Sequence, residues 1–168
     1  LIAAASALPL HRYPQQQITE AFTDVMVGAG ATDSVRSAIT RTHEATTVEW
    51  RHLALPIADY DKLDDFGAAN DAFLREAPPL AARAIGLALE RAGLDPSDVD
   101  LVISTTVTGV AAPSLDARIM PLLGFRPDVR RMPLVGLGCV AGAAGVARVA
   151  DYLCGRPDDV AVLVSAEL

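Results

Sequence analysis

The chain has 168 residues, 51% hydrophobic and 21% charged, which suits one soluble globular domain with a real core. A net charge of −7 sets a field that repels nucleic acid and anionic membrane surfaces, so an acidic substrate would need a local basic patch. No apolar stretch reaches the ~18–20 residues that a bilayer-spanning helix needs.

Residues 1–8 read as a short buried strand. Their small residues, Ala3 to Ala7, faintly resemble the end of a signal peptide, but no initiator Met and no basic segment accompany them. Pro14 suits a helix start, where its missing N–H costs nothing. Ile18, Ala21, Phe22, Val25 and Met26 then follow at one-face helical spacing, and Gly28 and Gly30 end the run. Thr32 or Asp33 caps a second, more polar helix to about Ala45. Thr46 to Leu55, with β-branched residues and Trp50, reads as extended, and 56–66 as acidic and irregular.

A helix over Gly67–Ala92 is predicted to kink or split at Pro78-Pro79, with Gly93 as its C-terminal stop. Val99 to Val107 reads as a central strand, apolar on both faces. Pro113 opens a helix through Leu115, Ile119, Met120 and Leu123. Val129 to Val135 is a strand in spite of Pro133. Ala141 to Leu153 is a helix and Val160 to Ser165 a last strand. Strands alternating with helices imply an α/β fold, a mostly parallel sheet with helices on both faces.

The chain has two cysteines, Cys139 and Cys154. Fifteen positions apart on one helix they would stand ~22 Å from each other, beyond the ~7 Å that a disulfide allows. Two free thiols suit a reducing cytoplasm, and two cysteines alone make no zinc site. His11, His43 and His52 have no metal-ligand spacing with them, so no metal is expected.

Cys139 stands in Gly136-Leu137-Gly138-Cys139-Val140-Ala141-Gly142, where a strand turns into a helix. Unpaired N–H groups and the helix dipole both favour a thiolate there. Gly138 permits a sharp turn, and Gly142 and Gly145 permit close approach by a neighbour or a substrate. The arrangement parallels the nucleophile elbow of hydrolases, with sulfur for oxygen. A free cysteine in a small-residue helix is also an ordinary packing feature, and the spacing by itself leaves both readings open. Cys154, near a helix end before Gly155-Arg156-Pro157, reads as packing.

Four segments carry a family resemblance: Thr105-Thr106-Val107-Thr108-Gly109-Val110-Ala111-Ala112-Pro113-Ser114-Leu115-Asp116, Leu123-Gly124-Phe125-Arg126-Pro127, Gly138-Cys139-Val140-Ala141-Gly142, and Val162-Leu163-Val164-Ser165-Ala166-Glu167. Together they resemble the type III polyketide synthases, the chalcone-synthase-like enzymes of the thiolase fold. The wording is most similar to the actinobacterial alkylpyrone and alkylresorcinol branch. Ala92 to Asp100 is similar to a segment shared more widely among thiolase-fold condensing enzymes.

The resemblance implies a thiolase-like fold, with residues 1–168 forming its N-terminal half. It implies a homodimeric acyltransferase that uses acyl-coenzyme A and malonyl-coenzyme A as substrates and needs no separate cofactor. Cys139 would carry the acyl group while a malonyl-derived enolate attacks it, and repetition with ring closure would give a pyrone or a resorcinol. The histidine and asparagine that complete such a site match none of His11, His43, His52 or Asn70, so the chain alone is expected not to turn over.

Among weaker correspondences, Arg41 falls where plant members bind coenzyme A phosphates, although neighbouring basic positions are Ala38 and Ala45. A solvated helix-face arginine fits it equally. Thr108 lies beside the reaction chamber, with plain turn chemistry as its rival. Ala112 replaces a plant methionine that reaches across the dimer, and its small size would leave room for a long alkyl starter. The rival functions are a ketoacyl-acyl-carrier-protein synthase III, a non-catalytic dimerising or acyl-binding module, and, least supported, a cysteine hydrolase with no local histidine.

Overall fold

The computed structural model describes residues 1–28 and 30–168. Contacts divide them into two units, Leu8–Phe66 and a second made of Leu1–Ala7 with Gly67–Leu168.

In the unit Leu8–Phe66, β1 (His11–Pro14) pairs antiparallel with β2 (Trp50–Leu53), His11 facing Leu53 and Pro14 facing Trp50. The Arg12 guanidinium lies 4.0 Å over the Trp50 ring. Between these strands run α1 (Gln15–Gly28) and α2 (Asp33–Ala45). The helix therefore begins one residue after Pro14, which closes the strand.

The apolar stripe of α1 is only partly covered: Ile18, Ala21 and Met26 are half-buried, Phe22 and Val25 are 48% and 54% exposed, and Gln15 and Thr23 are buried instead. Polar partners accompany the buried Gln15 and the half-buried Thr19. Arg51 Nε donates to Gln15 Oε1 at 2.7 Å, Thr19 Oγ1 donates to the Gln15 carbonyl at 2.8 Å, and His43 Nδ1 lies 2.9 Å from Thr19 Oγ1. These bonds offset the cost of burying Gln15 and Thr19, whereas the buried Thr23 Oγ1 has no hydrogen-bond partner.

Residues 1–8, of which Leu1–Ala7 belong to the second unit, form no strand, contrary to expectation. Strand structure needs a neighbouring ladder, and among the described residues none runs beside Leu1–Ala7. Ala3, Ala5 and Ala7 are half-buried in alternation, and Arg91 Nη1 donates to the Ala4 carbonyl at 2.7 Å.

The helix α3 (Phe66–Ala92) runs through Pro78 and Pro79 without a break, which corrects the expected split. The stripe Phe73, Ala77, Ala81, Ile85 and Leu89 is buried in the core together with Val102, Ile119 and Val164. That burial opposes the ~3 kcal/mol each interior proline costs. Gly93, at φ +68°, ends the helix, with Leu94 N–H donating to the Leu89 carbonyl at 3.0 Å.

The sheet has the order β4–β3–β5, all parallel: β3 (Val99–Thr106), β4 (Arg130–Val135) and β5 (Val160–Ser165). Central β3 is buried on both faces, as its sequence predicts, with Val99, Leu101, Val102 and Ile103 at 2% exposure or less. Each such side chain contributes about 1.5–3 kcal/mol. Pro133 is tolerated because β4 pairs on one side only among the described residues, leaving a place for a residue without an N–H.

Helices cover both faces. With α3 on one face lies α4 (Leu115–Leu123), whose buried Asp116 accepts from Ser104 Oγ at 2.9 Å and from Arg131 Nη1 at 3.1 Å. On the other face lies α5 (Ala141–Cys154), where a Cβ on Gly145 would come 2.5 Å from Leu163 Cδ1.

Candidate active site at the carboxyl end of the sheet

Open parallel sheets place ligands at the carboxyl ends of their strands. Here β4, β3 and β5 end at Val135, Thr106 and Ser165, and the segments that follow carry Cys139, Thr108 and Glu167 in that spatial order. Neighbouring strands stand ~4.8 Å apart, so three short segments share one small surface.

Cys139 is exposed. After β4 the chain turns through two left-handed glycines, Gly136 at φ +81° and Gly138 at φ +59°, a region that side chains disfavour. Gly138–Val140 then forms a 3-10 turn and α5 begins at Ala141. The thiol thus stands one tight turn ahead of the helix rather than inside its first turn. No side-chain cap closes the start of α5; the 3-10 turn runs into it, and the Ala141 N–H donates to the Gly138 carbonyl.

The position of that turn is set by packing. Ala141 is buried, and Gly145, one turn further on, is the point of close contact with β5. Gly142 is not: a Cβ there would meet Ser165 Oγ at an ordinary 3.9 Å. Below them Thr105 Oγ1 donates to Ser165 Oγ at 2.8 Å, tying β3 to β5. Cys154 is the last residue of α5 and also exposed, so the two thiols are separated by the ~21 Å length of a 14-residue helix.

Thr108 is held by Glu167, a residue that the sequence pattern includes without assigning it a role. Glu167 Oε2 accepts from Thr108 Oγ1 at 2.9 Å and from the Thr108 and Val107 N–H groups at 3.2 and 3.0 Å. The Thr108 hydroxyl also accepts from Leu168 N–H at 3.2 Å. Both functions of the hydroxyl are therefore engaged in anchoring the loop after β3. Ala112 lies exposed at the far end of that loop. An acidic residue directly behind an apolar strand was the available sign of Glu167.

Arg41 is exposed on α2, in the unit Leu8–Phe66. All three histidines belong to that unit as well; His52 Nδ1 lies 2.7 Å from the Pro9 carbonyl oxygen. Among the described residues no group of three or more His, Cys, Asp or Glu could hold a metal, and no helix is long and apolar enough to cross a membrane.

Within the sheet-bearing unit, the groups with shifted proton affinity gather at the opposite end of the strands. Val160 N–H, and then Arg126, hold the Asp100 carboxyl below the usual carboxylate range. Burial, and then its hydrogen bond to Asp159, push the Tyr152 phenol up. The six residues of β4 put ~20 Å between that end and the Cys139 turn. A cavity of about 20 Å³, room for one water, lies under the β3 loop beside Phe73, Ser104 and Ser114, and Cys139 does not line it.

Residues 64–168 match the family described as FAE1/Type III polyketide synthase-like protein. The chain is 51% identical over 166 residues to a 1,3,6,8-tetrahydroxynaphthalene synthase of Streptomyces peucetius subsp. caesius, covering 99% of this chain and 43% of that protein. It is 32% identical over 170 residues to a phloroglucinol synthase of Pseudomonas fluorescens, covering 90% of this chain and 47% of that protein. Among solved structures, the 1,3,6,8-tetrahydroxynaphthalene synthase of Streptomyces coelicolor A3(2), a bacterial type III polyketide synthase, superposes with a TM-score of 0.85 at 29% identity. That alignment covers 97% of this chain and 46% of the other, so the chain spans less than half the length of the relatives it matches.

Proposed function

Because the chain belongs to the FAE1/type III polyketide synthase-like family, we propose that the protein it forms part of is a type III polyketide synthase. In that reading Cys139 is the nucleophile. Its thiolate attacks the carbonyl carbon of an acyl-coenzyme A thioester, a C–S bond forms, and the coenzyme A thiolate leaves. Malonyl-coenzyme A then loses carbon dioxide, and the resulting enolate carbon attacks the cysteine-bound carbonyl. The new C–C bond forms as the Cys139 C–S bond breaks, which returns the thiolate.

The observation that carries this reading is the exposed thiol held by two left-handed glycines at the carboxyl end of a parallel sheet, in the 3-10 turn that leads into α5. Residues 1–168 would be the N-terminal half of the thiolase-like catalytic domain. A histidine and an asparagine from outside these residues would supply the hydrogen-bond donors for the enolate and the oxyanion. The active form would be a homodimer in the reducing cytoplasm, with coenzyme A thioesters as substrates and no further cofactor.

The products for which these relatives are named, tetrahydroxynaphthalene and phloroglucinol, are polyphenols without an alkyl chain. They favour a short, polyhydroxylated aromatic product. Ala112, small and exposed at the end of the β3 loop, favours the second reading, a long-chain starter closed into a pyrone or a resorcinol. Incubating full-length protein with malonyl-coenzyme A alone, with added fatty acyl-coenzyme A, and with malonyl-acyl-carrier-protein separates the possibilities. An alkyl-free aromatic from malonyl-coenzyme A alone supports the first reading, and an alkylated pyrone or resorcinol the second. Turnover only with the carrier protein replaces both with a ketoacyl synthase III.

A further inference from the structure

The segment after β3 is gripped from α3 by one half-buried side chain. Asn70 Nδ2 donates to the Val110 carbonyl at 3.0 Å, and Asn70 Oδ1 accepts from Val110 N–H at 2.8 Å. A carboxamide that bonds both main-chain groups of one residue offers what a neighbouring strand would offer in an antiparallel pair. One residue earlier, Gly109 lies so close to the Phe73 ring that no Cβ could be accommodated without moving that buried side chain. On its other side the segment is held by Glu167 through Val107 and Thr108.

The side chains of Val107 and Val110 are 47% and 60% exposed, so apolar burial does little to fix the segment. Directional bonds must do it instead: the Asn70 pair holds Val110 before Ala112, and Arg118 Nε donates to the Pro113 carbonyl after it at 3.0 Å. We infer that Asn70 is a positioning residue: through Val110 it fixes the Thr108–Ala112 wall that adjoins the Cys139 turn. Preorganised walls keep the reacting carbonyl and the enolate in attacking geometry, and small displacements are costly to rate. The inference rests on the condensing activity proposed above.

The test uses full-length protein carrying Asn70→Ala or Asn70→Asp. The aspartate keeps the acceptor for Val110 N–H and loses the donor to its carbonyl. Three quantities are read: hydrogen exchange at the Val110 amide, kcat and KM for malonyl-coenzyme A, and the alkylation rate of Cys139. The alanine variant is expected to exchange the Val110 amide about five-fold faster with β3 amides unchanged, the effect of losing a bond of ~1 kcal/mol. It is expected to lower kcat/KM by about ten-fold while Cys139 alkylation stays within about two-fold, with the aspartate variant between it and wild type. Faster exchange throughout the unit overturns the inference, because Asn70 would then serve the whole fold. Faster Val110 exchange with unchanged kcat and KM overturns it too. A wild-type protein inert toward malonyl-coenzyme A overturns the proposed function instead, and the exchange data still decide whether Asn70 holds the segment.

Discussion

Gly145→Ala sets two effects of opposite sign against each other. Alanine inside a helix is favoured over glycine by about 1 kcal/mol. The new Cβ, however, would stand 2.5 Å from Leu163 Cδ1, 3.0 Å from Cδ2 and 3.4 Å from Cγ. Carbon atoms prefer about 3.5–4.0 Å, so either α5 or the Leu163 side chain must move by roughly 1 Å. Overpacking of that size costs about 1–3 kcal/mol.

The clash outweighs the propensity, and the variant is expected to be less stable by about 1 kcal/mol in urea unfolding of full-length protein. Because the Cys139 turn leads into α5, the alkylation rate of Cys139 should change as well. In a Leu163→Ala background the obstruction is gone, and Gly145→Ala should become stabilising by about 1 kcal/mol, a coupling of about 2 kcal/mol. Equal stabilisation by Gly145→Ala in both backgrounds would refute the close packing of α5 on β5.

Iodoacetamide should label Cys139 faster than Cys154 near neutral pH, and Cys139→Ala should abolish condensation while Cys154→Ser leaves it intact; equal slow labelling and an active Cys139→Ala protein would remove the nucleophile. Ala112→Met should shorten the longest acyl chain accepted in a competition assay with mixed acyl-coenzyme A starters, and an unchanged preference would detach Ala112 from the pocket. The lowered Asp100 pKa means its carboxylate stabilises the fold above the unfolded value near 4 and loses that contribution as pH falls through the folded value. Asp100→Asn should therefore cost about 1 kcal/mol at pH 7 and converge on wild type once the pH has fallen below the folded value, measured by denaturant midpoints across pH.

How much of this was legible in the sequence depended on the range of the forces involved. The Gly136–Gly142 run showed the turn at Cys139 because left-handed backbone has a direct residue signature, although Gly142 proved not to be the packing contact. Glu167 and Asn70 were hidden for the same reason as each other: each bonds main-chain groups about forty to sixty positions away, and main-chain groups carry no sequence signal.

By itself, the amino-acid order determined the three parallel strands, the glycine-bent turn at Cys139 and the family, since short-range periodicity and turn chemistry are written into neighbouring residues. Only tertiary structure decided how α1 is buried, because Arg51 and His43 reach it from distant positions and bond Gln15 and Thr19. It likewise decided that α3 runs unbroken through two prolines, where core burial opposes the local penalty. It left residues 1–8 without a strand, since backbone hydrogen bonds need a partner that periodicity cannot supply.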